Sequence, residues 1–104
     1  MGVKNRAQRF AIQMRLRYRL NGDNKWWKGT IENISRSGVL FRGEGFVQPN
    51  THLEMSFVLP DEIFGVRPAE VFCTGRVVRS ERPKDGEVLP ALASTISHFR
   101  FIRP

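Results

Sequence analysis

Cysteine occurs once, at Cys73, so no disulfide can form within the chain, and nothing in its use points to an oxidising compartment. Long apolar runs are missing too: no stretch approaches the ~18 residues a membrane-spanning helix needs. The basic N-terminus, with Lys4, Arg6 and Arg9, has no hydrophobic segment behind it of the kind a secretory signal carries, so the expected location is cytoplasmic. Asn33-Ile34-Ser35 fits the glycosylation acceptor pattern, which has no meaning without such a signal. Histidine is scarce, and His52, His98 and Cys73 show no metal-ligand spacing. There is no nucleophile elbow and no glycine-rich phosphate loop ending in lysine. The adjacent Asp61 and Glu62 would project to opposite sides of an extended chain rather than act as a pair. The expectation is therefore a protein that is not an enzyme, with no catalytic residue, no metal and no cofactor. Helical periodicity is also lacking; Ile63 and Phe64, ahead of Pro68, allow at most a short helical turn.

What is present fits one small domain. The 104 residues suffice for a single modest core, and the 40% hydrophobic content with interspersed charge argues for a globular chain. A formal charge of +7 favours an anionic partner, since such a field draws phosphates to the surface. Residues 1–11 are polar, basic and aperiodic, and read as an arm. From residue 12 to 104 the pattern is that of one β domain.

Strand signals dominate that domain. Ile12, Met14, Leu16, Tyr18 and Leu20 alternate with Gln13, Arg15, Arg17 and Arg19, a period of two that buries one face and leaves a basic face in water. Asn21-Gly22-Asp23-Asn24 then turns the chain into a second strand over 26–34. Val39-Leu40-Phe41 reads as a short strand, and Gly43-Glu44-Gly45 as a loop. His52 to Leu59 alternates again and stops at Pro60. Residues 70–80 form a long strand rich in β-branched side chains, where Gly75 predicts a bulge or bend. A last strand follows over about 89–101. Some six strands without helical crossovers imply an antiparallel sheet, and closure removes its edges, so the expected fold is all-β, a small antiparallel six-stranded barrel. An open sandwich has the same periodicity. Cys73, on an apolar strand face, reads as a small core residue. Of the adjacent Trp26 and Trp27, one should face the core and the other the outside.

Two places carry chemistry suited to a small polar ligand. Asn33, Ser35 and Gly38, in the turn Asn-Ile-Ser-Arg-Ser-Gly, supply an amide, a hydroxyl and a residue without Cβ, where φ is free to be positive or a ligand comes close. The same residue types are also ordinary turn formers that cap backbone groups. In the arm, Arg6 and Arg9 present guanidinium forks that pair with guanine O6 and N7, pair with phosphate, and stack on bases.

The Asn33-x-Ser35-x-x-Gly38 pattern resembles the second signature, Asp/Asn-x-Ser-x-x-Gly, of the PilZ family, small β-barrels that bind the bacterial messenger cyclic di-GMP. That family's first signature, Arg-x-x-x-Arg, stands directly before the first strand. Here its second arginine matches Arg9, while the first position holds Asn5, with Arg6 beside it. The resemblance extends to the basic strand after the arm, to Gly38-Val39-Leu40-Phe41, and to Gly75-Arg76-Val77-Val78-Arg79. It implies a regulatory module in which cyclic di-GMP is held by Arg6, Arg9, Asn33, Ser35 and Gly38. Asn5 keeps open a degenerate member that works through protein contacts alone. A third reading is a basic barrel binding single-stranded nucleic acid beside Trp26 or Trp27, against which stands the lack of an RNP-type aromatic pattern; nucleic acid is not the expected partner.

Overall fold

The alternation read from the first strand is realised in β1, Met14–Leu20, where Leu16 and Tyr18 are buried and Arg15 and Arg17 exposed. The computed structural model describes residues 14–59 and 69–102. Six more strands follow: β2 (Trp27–Ile34), β3 (Gly38–Gly43), β4 (His52–Leu59), β5 (Ala69–Glu81), β6 (Ala91–Thr95) and β7 (Ser97–Ile102). No helix occurs among the described residues. Residues 1–13, including the whole of the expected arm, and the suggested helical turn at Ile63 and Phe64 lie outside them.

Every pairing is antiparallel, in the order β4-β1-β2-β3-β6-β5, and β4 pairs again with β5, closing a six-stranded barrel. Closure leaves none of those six strands with a bare ladder edge. The final stretch, expected as one strand, forms two. At Ile96 the chain leaves β3: its N–H donates to the Ser37 carbonyl at 3.0 Å and its side chain turns into the core. Beyond that point β7 pairs only with β5 and lies outside the closed cycle.

Inside the barrel, Tyr18, Ile31, Phe41, Leu53, Met55, Val71 and Leu92 are fully buried. Tyr18 brings a hydroxyl into this core, where it donates to the Gly45 carbonyl and accepts from the Gly45 N–H, both at 2.8 Å. Its ring meets Trp27 and Phe41 edge-on, at centroid distances of 5.6 and 4.9 Å. The Gly43-x-Gly45 loop is thus a packing element, because a Cβ at Gly45 would collide with the Trp27 ring. Trp27 takes the inward place expected of one tryptophan; Trp26, just ahead of β2, lies over β1 with the Arg17 and Arg19 guanidiniums 5.0 and 4.5 Å from its ring centre.

β5 is the longest strand, and Gly75 is where its neighbour changes. Its Glu70–Thr74 half pairs with β7 and its Val77–Glu81 half with β6, with a register shift on each side of the glycine. A Cβ at Gly75 would strike the Thr95 carbonyl and stand 2.5 Å from Ser94 Oγ and 2.9 Å from Met55 Cε. The predicted bend is there because a strand crosses too closely for any side chain. Gly75→Ala is expected to lower stability by about 1–3 kcal/mol, as overpacking against backbone does, read from the urea midpoint at unchanged m-value.

Burial pushes the Cys73 thiol up from 9.0 to about 11. Burial also raises the Tyr18 phenol from 10.0 to about 12, partly offset by its hydrogen bond with Gly45. Both groups keep their protons in the folded state after the unfolded chain has lost them, so their stabilisation is complete below about pH 9 and falls as pH rises toward 12. Denaturation midpoints should be flat for these groups from neutral pH to about 9 and decline above it; Tyr18→Phe should retain only the Cys73 part of the slope.

Candidate functional site

Two β-bulges shape the outer surface beside the Asn33–Gly38 turn. In β2 the register steps from Ile31↔Phe41 to Asn33↔Leu40, so Ile31 and Ile34, three residues apart, both point into the core. A regular strand would have put Asn33 inside with Ile31. The extra residue sends Asn33 outward next to Glu32. In β5 the register steps from Val77↔Ser94 to Arg79↔Ala93, and Arg79 likewise moves from an inward position to an outward one, leaving Val77 buried.

Both displaced residues land in one row. Asn33 pairs with Leu40, Leu40 with Ala93, and Ala93 with Arg79, so four adjacent strands present these side chains outward in register. Three interstrand steps of about 4.8 Å separate the amide from the guanidinium by roughly 14 Å at the backbone. Between them lies a trough of about 250 Å³ with an apolar floor of Leu40, Ala93 and Val78. Ser35, Gly38 and Thr95 close its upper end.

The turn residues hold their places through backbone bonds. Ser35 N–H donates to the Gly38 carbonyl at 2.9 Å, and its hydroxyl reaches the same oxygen at 3.5 Å, leaving that hydroxyl weakly engaged. Gly38 departs from one expectation: it is not in the left-handed region. It opens β3 opposite Thr95, and a Cβ there would come no closer than 3.4 Å, to the Ser94 carbonyl. What glycine supplies is an uncovered trough wall, the close-approach alternative.

Of the five residues singled out from sequence, the structure brings Asn33, Ser35 and Gly38 together; Arg6 and Arg9 lie outside the described residues. Met14, the first described residue, pairs with Ile31, two positions before Asn33. Arg79 was not singled out. Its side chain is 69% exposed, and its one ion-pair partner among the described residues, Glu81, is 4.0 Å away. The signal for it was the doublet Val77-Val78 before Arg79, which breaks the period of two, as the Ile31–Ile34 spacing does in β2.

Chemically the trough offers an amide, hydroxyls and one guanidinium, with no carboxylate, imidazole or thiol among the described residues of its walls. Such groups recognise a base edge and a phosphate; nothing among them moves a proton. A larger hollow of about 860 Å³ lies elsewhere, over Met14, Leu16 and Phe57.

A search of curated protein sequences finds no significant match. Among solved structures, the inhibitor of motility MotI/DgrA of Bacillus subtilis superposes with a TM-score of 0.73 at 14% identity, covering 96% of this chain and 45% of that protein. At that identity the likeness is one of fold, and the chain spans less than half of the neighbour's length. A family model described as the PilZ domain matches residues 4–104, nearly the whole sequence, and the chain belongs to the PilZ domain family.

Proposed function

We propose that the domain is a regulatory receptor for cyclic di-GMP, which lies across the outward row from Asn33 to Arg79. The observation that carries this reading is that two separate bulges turn an amide and a guanidinium onto one apolar floor, beside the Ser35–Gly38 turn. A cyclic dinucleotide has the matching parts: flat bases for the floor, a guanine edge for Asn33, and phosphates for Ser35 and Arg79. The trough is smaller than the roughly 300–1,000 Å³ of typical small-molecule sites, so part of the ligand stays uncovered by it. Arg6 and Arg9 supply the missing wall, stacking on bases and pairing with phosphates as the arm orders over the ligand. Ordering that segment costs free energy, which places the expected affinity in the micromolar range or weaker.

Asn5 favours a second reading, a family member that has lost the messenger and acts through protein contacts. The two are separable by calorimetric titration with cyclic di-GMP. Under the receptor reading the wild-type chain binds. Replacing Arg9, Asn33 or Arg79 singly by alanine then weakens binding by about one to two powers of ten for each arginine, from about 1.5–3 kcal/mol per charge-assisted bond, and by somewhat less for Asn33. No heat and no thermal shift at a few hundred micromolar messenger, as an order of magnitude, rejects the receptor reading. Binding that appears only in Asn5→Arg establishes the degenerate one.

Loss of affinity must not reflect loss of fold. Asn33 and Arg79 are outward-facing, and the Asn33 side chain has no hydrogen bond within the described residues. Asn33→Ala and Arg79→Ala should therefore keep unfolding free energies within about 0.5 kcal/mol of wild type by urea titration.

A further inference from the structure

Away from the trough, β7 and its neighbours carry a second concentration of groups. β7 has β5 on one side and no partner on the other among the described residues, and all of its residues are exposed. Phe99, Phe101 and Ile102 are 40%, 51% and 41% exposed, and the two phenylalanine rings lie 5.7 Å apart. Register places Phe101 on the same side as Val71 and Arg100 on the opposite side with Phe72. The Arg100 guanidinium is 5.2 Å from the Phe72 ring centre, and Phe72 meets Trp26 edge-on at 6.4 Å. Following the register further, Lys28, Arg17, Ser56, Phe72 and Arg100 form one row across five strands. Its three cations have no ion-pair partner among the described residues.

We propose that the edge of β7 with no partner among the described residues, from Phe99 to Ile102, receives an extended segment of an acidic protein partner as an added strand. The segment alternates apolar and acidic residues: the apolar ones cover Phe99 and Phe101, and the carboxylates stand beside Arg100 within the positive field of Arg17 and Lys28. An unpaired ladder edge supplies the backbone hydrogen bonds, and alternate side-chain pockets supply the selection. The docking length is bounded by His98, whose φ of 51° kinks the strand start and spoils regular pairing there. Aromatic residues and arginine are also the types enriched at the energetic centres of protein interfaces.

The other occupants fit less well. Two copies of this chain would each bring +7, and a symmetric β7–β7 pairing would set one Arg100 near the other. A nucleic-acid strand needs open ring faces for its bases, yet Trp26 and Phe72 already carry guanidiniums, and Phe99 and Phe101 face away from the cationic row. This proposal does not depend on cyclic di-GMP.

Panning a random dodecapeptide display library on the whole domain, followed by fluorescence anisotropy with the selected peptides, tests it. Sequences alternating Asp or Glu with Val, Ile or Phe should be enriched. Their affinity should fall about tenfold or more in Arg100→Glu and in the double variant Phe99→Ala, Phe101→Ala. A peptide whose acids are changed to lysine should recover affinity for Arg100→Glu, which a misfolded variant could not do. Absence of such enrichment overturns the proposal. So does sedimentation of the domain as a dimer, or displacement of the peptide by a single-stranded oligodeoxynucleotide.

Discussion

The architecture depends on one crowded crossing. At Gly75 the backbone of β5 passes so close to Thr95 that no side chain fits, and there the strand exchanges one neighbour for another. Without that approach β6 could not pair with β5 while β7 continues along the same edge, and the cycle of six strands would stay open. Closure then fixes the rest: the inward residues of all six strands share one core, and polar and basic side chains are driven outward. The glycine is an element of topology, and its neighbours Cys73 and Val77 take the burial that it cannot provide.

Against so regular a frame, the trough is built from irregularities. A strict period of two would have buried both Asn33 and Arg79, at a desolvation cost no partner in this core could offset. One extra residue in each of two strands resolves this, and the register of β3 and β6 aligns the two displaced side chains. The site is therefore a product of pairing across the sheet. Its described walls place polar groups at the ends of an apolar floor.

Much of the barrel was legible because alternation is a direct record of burial. β4 matches its expected bounds, His52–Leu59, β1 follows its expected strand over the described residues, and β5 runs one residue further at each end than expected. The end of the chain was less legible: 89–101 looks continuous in its apolar content, and the break at Ile96 comes from a backbone bond to Ser37 on another strand, which no local pattern encodes. The turn residues were readable because Asn33, Ser35 and Gly38 lie close together in the chain. Arg79 was not, since its place beside them is created by three pairings among residues up to 53 positions apart. The glycine pair at 43 and 45 looked like a turn and turned out to make room for Tyr18 and Trp27.

The bulge in β2 carries an evolutionary implication. Because outward display of Asn33 hangs on the register step as well as on side-chain identity, a relative that ran through the same three residues, Ile31 to Asn33, in regular pairing would keep every letter of the signature and still hide the amide. Descendants of such a barrel can thus hide or display that amide by a slip of strand register, with their motif letters intact, and ranking them by those letters alone would misjudge them.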